Sequence, residues 1–328
     1  MQSASAQETM ELNTIYNEPC LTTLNRMPDS FVDCVITSPP YFQLRDYGYD
    51  GQWGAEPTYH EYLEHLWGMM DEIYRVLKPT GTVWINLGDT YSSVSGSMGS
   101  GKWSDPKNPQ ATNTTFTQTK QEIPNKSLML IPHRFAIGCS ERGWIIRNDV
   151  VWAKRNAMPE SVTDRFSKKH EYFFFMTKTE KYFFDLDAIR DTHKTGVEAI
   201  KRQKRIDKAQ GYNIAQGMGK SIPKGSSGGV GYDENGKNPG TIADFWDIPT
   251  VPSSDEHYAS YNDKLLFKPI LAGCPEGGII YDPFMGTGTT ALVAHRAKRK
   301  FIGSEMGTKY FNDATKYLEL IQAQTVLF

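Results

Sequence analysis

With 328 residues, 39% of them hydrophobic, the chain has the length for one large α/β domain or two small ones. Its formal net charge of −2 excludes a globally basic nucleic-acid binder, so any such surface must be local. Residues 1–10 lack an apolar segment and no run approaches the roughly 18 apolar residues of a membrane span, which argues against secretion and membrane insertion and for a cytoplasmic location.

In chain order, residues 12–16 read as a strand, 21–27 as a short helix, and 32–36 as a buried strand that runs into Thr37-Ser38-Pro39-Pro40-Tyr41. Residues 59–78 carry Tyr59, Leu63, Leu66, Met70, Ile73 and Leu77 at intervals of three and four, the spacing of an amphipathic helix, with Lys78-Pro79-Thr80-Gly81 as its stop. Residues 82–87, apolar without alternation, predict a buried parallel strand ending at Gly88-Asp89. Strand, helix, strand in this order points to an open α/β sheet. Residues 92–126 turn to Ser, Gly, Thr, Asn and Gln, too long for a connection, and read as a flexible lid or a disordered excursion. A second amphipathic helix is expected over 128–139 and a strand from 144–147 with 150–152. Aromatic runs at 173–176 and 182–184 predict a hairpin around 177–181. Residues 190–224 hold nine Lys or Arg against three acids, and the glycine-rich 225–240 reads as a connector. A strand over 278–282, a helix over 291–297 and a strand over 300–303 close the chain.

Two segments carry chemistry. In the first, consecutive prolines fix φ twice and restrict the residues before them, so residues 38–41 form a stiff extended turn after a strand. Its carbonyls, one hydroxyl and one ring suit an exocyclic amine of a flipped nucleobase, with acceptors for two N–H donors and a face to stack on. In the second, Asp282-Pro283-Phe284-Met285-Gly286-Thr287-Gly288-Thr289-Thr290 joins a buried strand to a helix, the local architecture that binds a nucleotide-like cofactor at a sheet's carboxyl edge. Glu305, 23 residues after Asp282, is placed to accept ribose hydroxyls. A P-loop is excluded because Thr289, not lysine, follows Gly288; Ala291 in the third position of a G-x-G-x-x-A pattern keeps NAD formally open. A carboxylate at the strand tip opposes a pyrophosphate and suits a cationic ligand, such as the amino-acid part of S-adenosylmethionine.

Both segments, in this order, resemble the amino-group DNA methyltransferases of the permuted β arrangement, in which an (S/T/D)PP(Y/F/W) motif precedes DPFxGxGTT. Residues 77–81 and 86–89, Asn148-Asp149-Val150-Val151-Trp152-Ala153-Lys154 with Pro159-Glu160-Ser161, and His257-Tyr258-Ala259 resemble its other core blocks. The chain departs from the pattern at Pro19, where the family has Asp and only Glu18 is left as a neighbouring carboxylate, and at Tyr261-Asn262.

The resemblance implies a circularly permuted Rossmann-like methyltransferase fold, a mostly parallel seven-stranded sheet with helices on both faces. It further implies a catalytic half over 1–190, a target-recognition insertion over 191–245 and a cofactor half over 246–328. Ser38, Pro39, Pro40 and Tyr41 would be catalytic. Thr37, His257, Tyr258, Ala259, Asp282, Pro283, Phe284, Gly286, Gly288, Thr289, Thr290 and Glu305 would bind S-adenosylmethionine, and Lys201, Arg202, Lys204, Arg205 and Lys208 would grip double-stranded DNA. A homodimer and a cognate restriction endonuclease stay open as protein partners, and no metal is expected. Serine at position 38 favours cytosine N4 over adenine N6, and the nearest rival is an RNA or protein amide methyltransferase, which usually places its cofactor motif first. Cytosine C5 chemistry needs an attacking thiolate in Pro-Cys-Gln, whereas Pro19-Cys20 is followed by Leu21. Cys20, Cys34, Cys139 and Cys274, without CxxC spacing, read as reduced packed thiols.

Overall fold

The structure is a computed structural model that describes residues 10–92, 123–157, 160–190, 243–250 and 262–325, with side chains to residue 319. Contacts divide the chain into a unit of Met1–Asp185 with Asp244–Phe328 and a second unit, Leu186–Ala243. The described part of the second unit is one short helix, α4 (Leu186–Ile189), and the Arg190–Asp187 ion pair at 2.7 Å.

The first unit is an eight-stranded sheet in the order β1 (Thr14–Tyr16), β8 (Lys300–Ser304), β7 (Ile279–Asp282), β2 (Val32–Thr37), β3 (Leu77–Leu87), β5 (His170–Thr177), β4 (Ile145–Ala153), β6 (Phe245–Asp247). Neighbours pair in parallel except around β5, which is antiparallel to both β3 and β4. Successive side chains face opposite sides. Val35, Val83, Ile85, Phe174, Met176, Tyr281 and Ile302 pack beneath α1 (Cys20–Arg26), α2 (Tyr59–Val76) and α3 (Ile131–Glu141). Ile36, Trp84, Phe173, Phe175, Ile280 and Phe301 pack beneath α5 (Asp263–Gly273), α6 (Thr289–Arg296) and α7 (Thr308–Thr325). Both faces of the sheet are therefore dry, which explains why its central strands lack polar alternation.

Helix α2 is capped by Thr58, whose side chain accepts from Glu61 N, and buries Tyr59, Tyr62, Leu63, Leu66, Met69, Met70, Ile73 and Val76. Three expectations differ from the fold. The helix expected to run to 78 ends at Val76, and residues 78–81, which stop it, belong to the first part of β3, because the proline at 79 forces Lys78 extended and Leu77 already pairs with Val32. Residues 182–184 do not return along 173–176: both edges of β5 are occupied, and Phe183 N donates instead to Thr80 O at 2.8 Å. The sheet has eight strands rather than seven, since the three-residue β6 adds an edge beside β4.

Among the described residues no helix is long and apolar enough to cross a membrane. All four cysteines are buried.

Candidate active site

The two central parallel strands β7 and β2 come from opposite ends of the sequence, and from them the chain order runs outward in opposite directions. That reversal opens a crevice at their carboxyl ends, the place where open α/β sheets bind ligands. Asp282 ends β7 there and Thr37 ends β2, and Thr37 Oγ1 donates to Asp282 Oδ1 at 2.6 Å across 245 residues of sequence.

Asp282 is 1% exposed. Its carboxylate also accepts from Thr290 Oγ1 at 2.5 Å and Phe284 N at 3.0 Å, so one buried acid ties the strand end, the loop and the first turn of α6 together. Burial pushes its carboxyl up to about 6, against the pull of these donors. Gly286 and Gly288 both adopt the left-handed conformation, with φ of 56° and 88°. A Cβ at Gly288 would stand 3.2 Å from Ala314 Cβ, so a side chain there would crowd α7 as well as strain the backbone. Glu305 Oε2 accepts from Gly286 N at 2.8 Å and its Oε1 from Gly307 N at 2.7 Å, while burial raises its carboxyl above the usual range. An ionised carboxylate has about four acceptor sites, so two remain for ligand hydroxyls. Aromatic rings flank the loop: Trp53 meets Phe284 edge-on at 5.4 Å. Glu18 is committed elsewhere, accepting from Thr23 Oγ1 at 2.7 Å and pairing with Arg26.

Across the crevice, the Pro40 carbonyl accepts from Tyr62 OH at 2.7 Å, which anchors the proline turn to α2. Tyr41 lies along the backbone at Gly88, where a Cβ would come within 2.5 Å of Tyr41 Cε2. Its hydroxyl is 2.7 Å from Glu171 Oε2 and 3.0 Å from Asn86 Oδ1. Ser38 Oγ reaches the same Asn86 Oδ1 at 3.4 Å, and Asn86 Nδ2 donates to Tyr172 O at 3.0 Å. Glu171 in turn pairs with Lys154.

The sheet thus brings Thr37, Ser38, Pro39, Pro40 and Tyr41 to the same edge as Asp282, Pro283, Phe284, Gly286, Gly288, Thr289, Thr290 and Glu305. His257, Tyr258 and Ala259, the lysines and arginines at 201–208, and most of the 92–126 insertion lie outside the described residues. Sequence reasoning missed Asn86 and Glu171 as site residues. Asn86 had a signal, a polar residue inside an apolar strand; Glu171, opening an aromatic strand, had the same. Burial pushes the Cys20 thiol up to about 12, which leaves no thiolate for attack on a base. Among the described residues no group of His, Cys, Asp and Glu could hold a metal ion.

A DNA methylase family model matches residues 32–316. The Type II methyltransferase M.Cfr9I of Citrobacter freundii is 34% identical over 95% of this chain and 90% of its own length. M.SmaI of Serratia marcescens is 33% identical over 85% and 81%. Among solved structures, the cytosine-N4-specific PvuII DNA methyltransferase superposes with a TM-score of 0.59 at 17% identity, covering 94% of this chain and 86% of that one. A Thermus thermophilus protein assigned as a DNA modification methylase, solved with S-adenosyl-L-methionine, gives 0.52 at 18% identity over 92% and 91%. At these identities the two structures share the fold.

Proposed function

The chain belongs to the N6/N4 DNA methylase family, and on that premise we propose that it transfers a methyl group from S-adenosylmethionine to the exocyclic N4 amine of cytosine in a base turned out of duplex DNA. The observation that carries this reading is the 2.6 Å bond from Thr37 to Asp282, which joins the amine-holding turn and the glycine loop at one sheet edge.

The residues present fit the cofactor. Gly286 and Gly288 leave the loop without side-chain bulk, Glu305 keeps acceptor capacity for ribose hydroxyls, and buried Asp282 supplies negative charge beside the site. S-adenosylmethionine supplies, when bound, an electrophilic methyl on a sulfonium. The rest falls to the chain. An exocyclic amine is a poor nucleophile because its lone pair is delocalised into the ring. Ser38 Oγ and the Pro39 carbonyl accept its two hydrogens and favour a pyramidal nitrogen, while Tyr41 stacks on the base. The Pro39 carbonyl is given this role rather than that of Pro40, whose oxygen already accepts from Tyr62. As the nitrogen becomes positive, these oriented acceptors stabilise it, and the proton leaves after transfer without a strong base.

Serine at 38 supports cytosine: a hydroxyl accepts more weakly than a carboxylate, which matches the more available amine. Target recognition is assigned to residues 191–245 on their basic composition, with Lys201, Arg202, Lys204, Arg205 and Lys208 on phosphates. The Type II names of the relatives support a cognate restriction endonuclease as a partner. Incubation with mixed-sequence DNA and labelled cofactor, followed by nucleoside mass spectrometry, tests the base: N4-methylcytosine is expected, and N6-methyladenine as sole product overturns it. Deleting 196–224 should abolish sequence-specific DNA binding and spare cofactor binding; unchanged specificity refutes the recognition assignment.

A further inference from the structure

We infer that Glu171 is a positioning residue that sets the direction of the Ser38 hydroxyl through Tyr41 and Asn86. The inference rests on the reading of Ser38 as the acceptor for the target amine. To accept, Ser38 must send its own proton elsewhere; a hydroxyl whose proton points at the amine presents the wrong polarity.

The geometry shows where that proton goes. Asn86 is oriented by its Nδ2 bond to Tyr172 O at 3.0 Å, so its Oδ1 faces both hydroxyls as an acceptor. Tyr41 has one proton, and both Glu171 Oε2 at 2.7 Å and Asn86 Oδ1 at 3.0 Å lie within its reach. The shorter, charge-assisted bond takes it. Asn86 Oδ1 is then left for the Ser38 proton, at 3.4 Å the longest contact of the set, and the Ser38 lone pairs are free for the amine. Glu171, 9% exposed, is itself held by Lys154, which can only donate.

These donor and acceptor types make an unusual demand on variants. In Glu171→Gln, Lys154 keeps the amide oxygen, so the amide nitrogen turns to Tyr41. Tyr41 then donates to Asn86 Oδ1 and competes there with the longer Ser38 contact. Removing the tyrosine hydroxyl in the same chain releases Asn86 again. In single-turnover methyl transfer at saturating cofactor and DNA, Glu171→Gln should slow the reaction roughly tenfold or more, and Tyr41→Phe by no more than about threefold. The double variant should return to the Tyr41→Phe rate, a departure from additivity expected only of coupled residues. A double variant as slow as Glu171→Gln, or Tyr41→Phe as slow as Glu171→Gln, overturns the relay, since a role for Glu171 in packing or in holding Lys154 is not rescued by losing the Tyr41 hydroxyl. Should Glu171→Gln fail to fold, Asn86→Ala carries the test: it should be roughly tenfold slow with or without Tyr41→Phe, and a rate within about twofold of the parent overturns the proposal. A wild-type chain that methylates no DNA refutes the underlying function instead, so the two failures are distinguishable.

Discussion

The two loops at the crevice are built by opposite means. The cofactor loop is held by its own neighbourhood: Asp282 binds Phe284 and Thr290, two and eight residues on, and Glu305 reaches back 19 residues to Gly286. The catalytic turn is stiffened by its prolines but aimed by distant strands, Asn86 being 45 residues from Tyr41 and Glu171 130. A loop whose work is done by backbone needs glycine and a local acid; a turn whose work is done by side chains needs partners that only the folded sheet delivers. The two meet through the bond from Thr37 to Asp282.

The strongest way to break that contrast is at Asp282. Replacing it with alanine leaves the donors of Thr37, Thr290 and Phe284 buried and unpaired, at a cost of about 3 kcal/mol or more. Cofactor affinity by calorimetry should weaken roughly 100-fold, the equivalent of about 2.7 kcal/mol. An unchanged affinity would show that the loop is held some other way.

Acidity should act on the same residue more gently. The three donors hold the ionised carboxylate, and its folded value of about 6 lies above the ordinary 3.8. This group therefore adds stability that is full below pH about 4 and lost as pH rises through about 6, while cofactor affinity runs the other way, weakening as pH falls through about 6. Calorimetry from pH 5 to 8, beside urea midpoints over the same range, checks both signs; an affinity that strengthens toward acid contradicts the role of the carboxylate.

Gly288→Ala is a smaller perturbation. A φ of 88° and the nearby Ala314 should together lower stability by about 1–2 kcal/mol, read from urea unfolding. On the catalytic side the smallest effect is expected from the thiols. Burial has raised all four cysteines well out of the reactive range, so a thiol reagent should label none in the folded protein, and rapid labelling of Cys20 would reopen a nucleophilic role.

The same local-versus-distant contrast explains what could be read from the sequence. Asp282, the glycines and Glu305 were legible because their spacing is fixed by one strand, one turn and one helix start. The faces of α2 and the central strands were legible from periodicity. Tyr182 and its aromatic neighbours were misread because composition resembles a strand, whereas pairing needs a free edge that β5 lacks. The three residues of β6 are too few for a pattern. Glu171 and Lys154 acquire their meaning only when β4 and β5 align Trp152 with Glu171 beside the end of β3.

The division of labour between the loops is tested most directly by Ser38→Ala, measured for both S-adenosylmethionine affinity and single-turnover methyl transfer to DNA. The expected result is an affinity within about twofold of the parent and a transfer rate lowered on the order of 100-fold, the scale of losing one preorganised polar contact to the reacting atoms. An affinity weakened tenfold or more, with the rate restored at saturating cofactor, would place Ser38 in the cofactor site and contradict the assignment of the proline turn to the target amine.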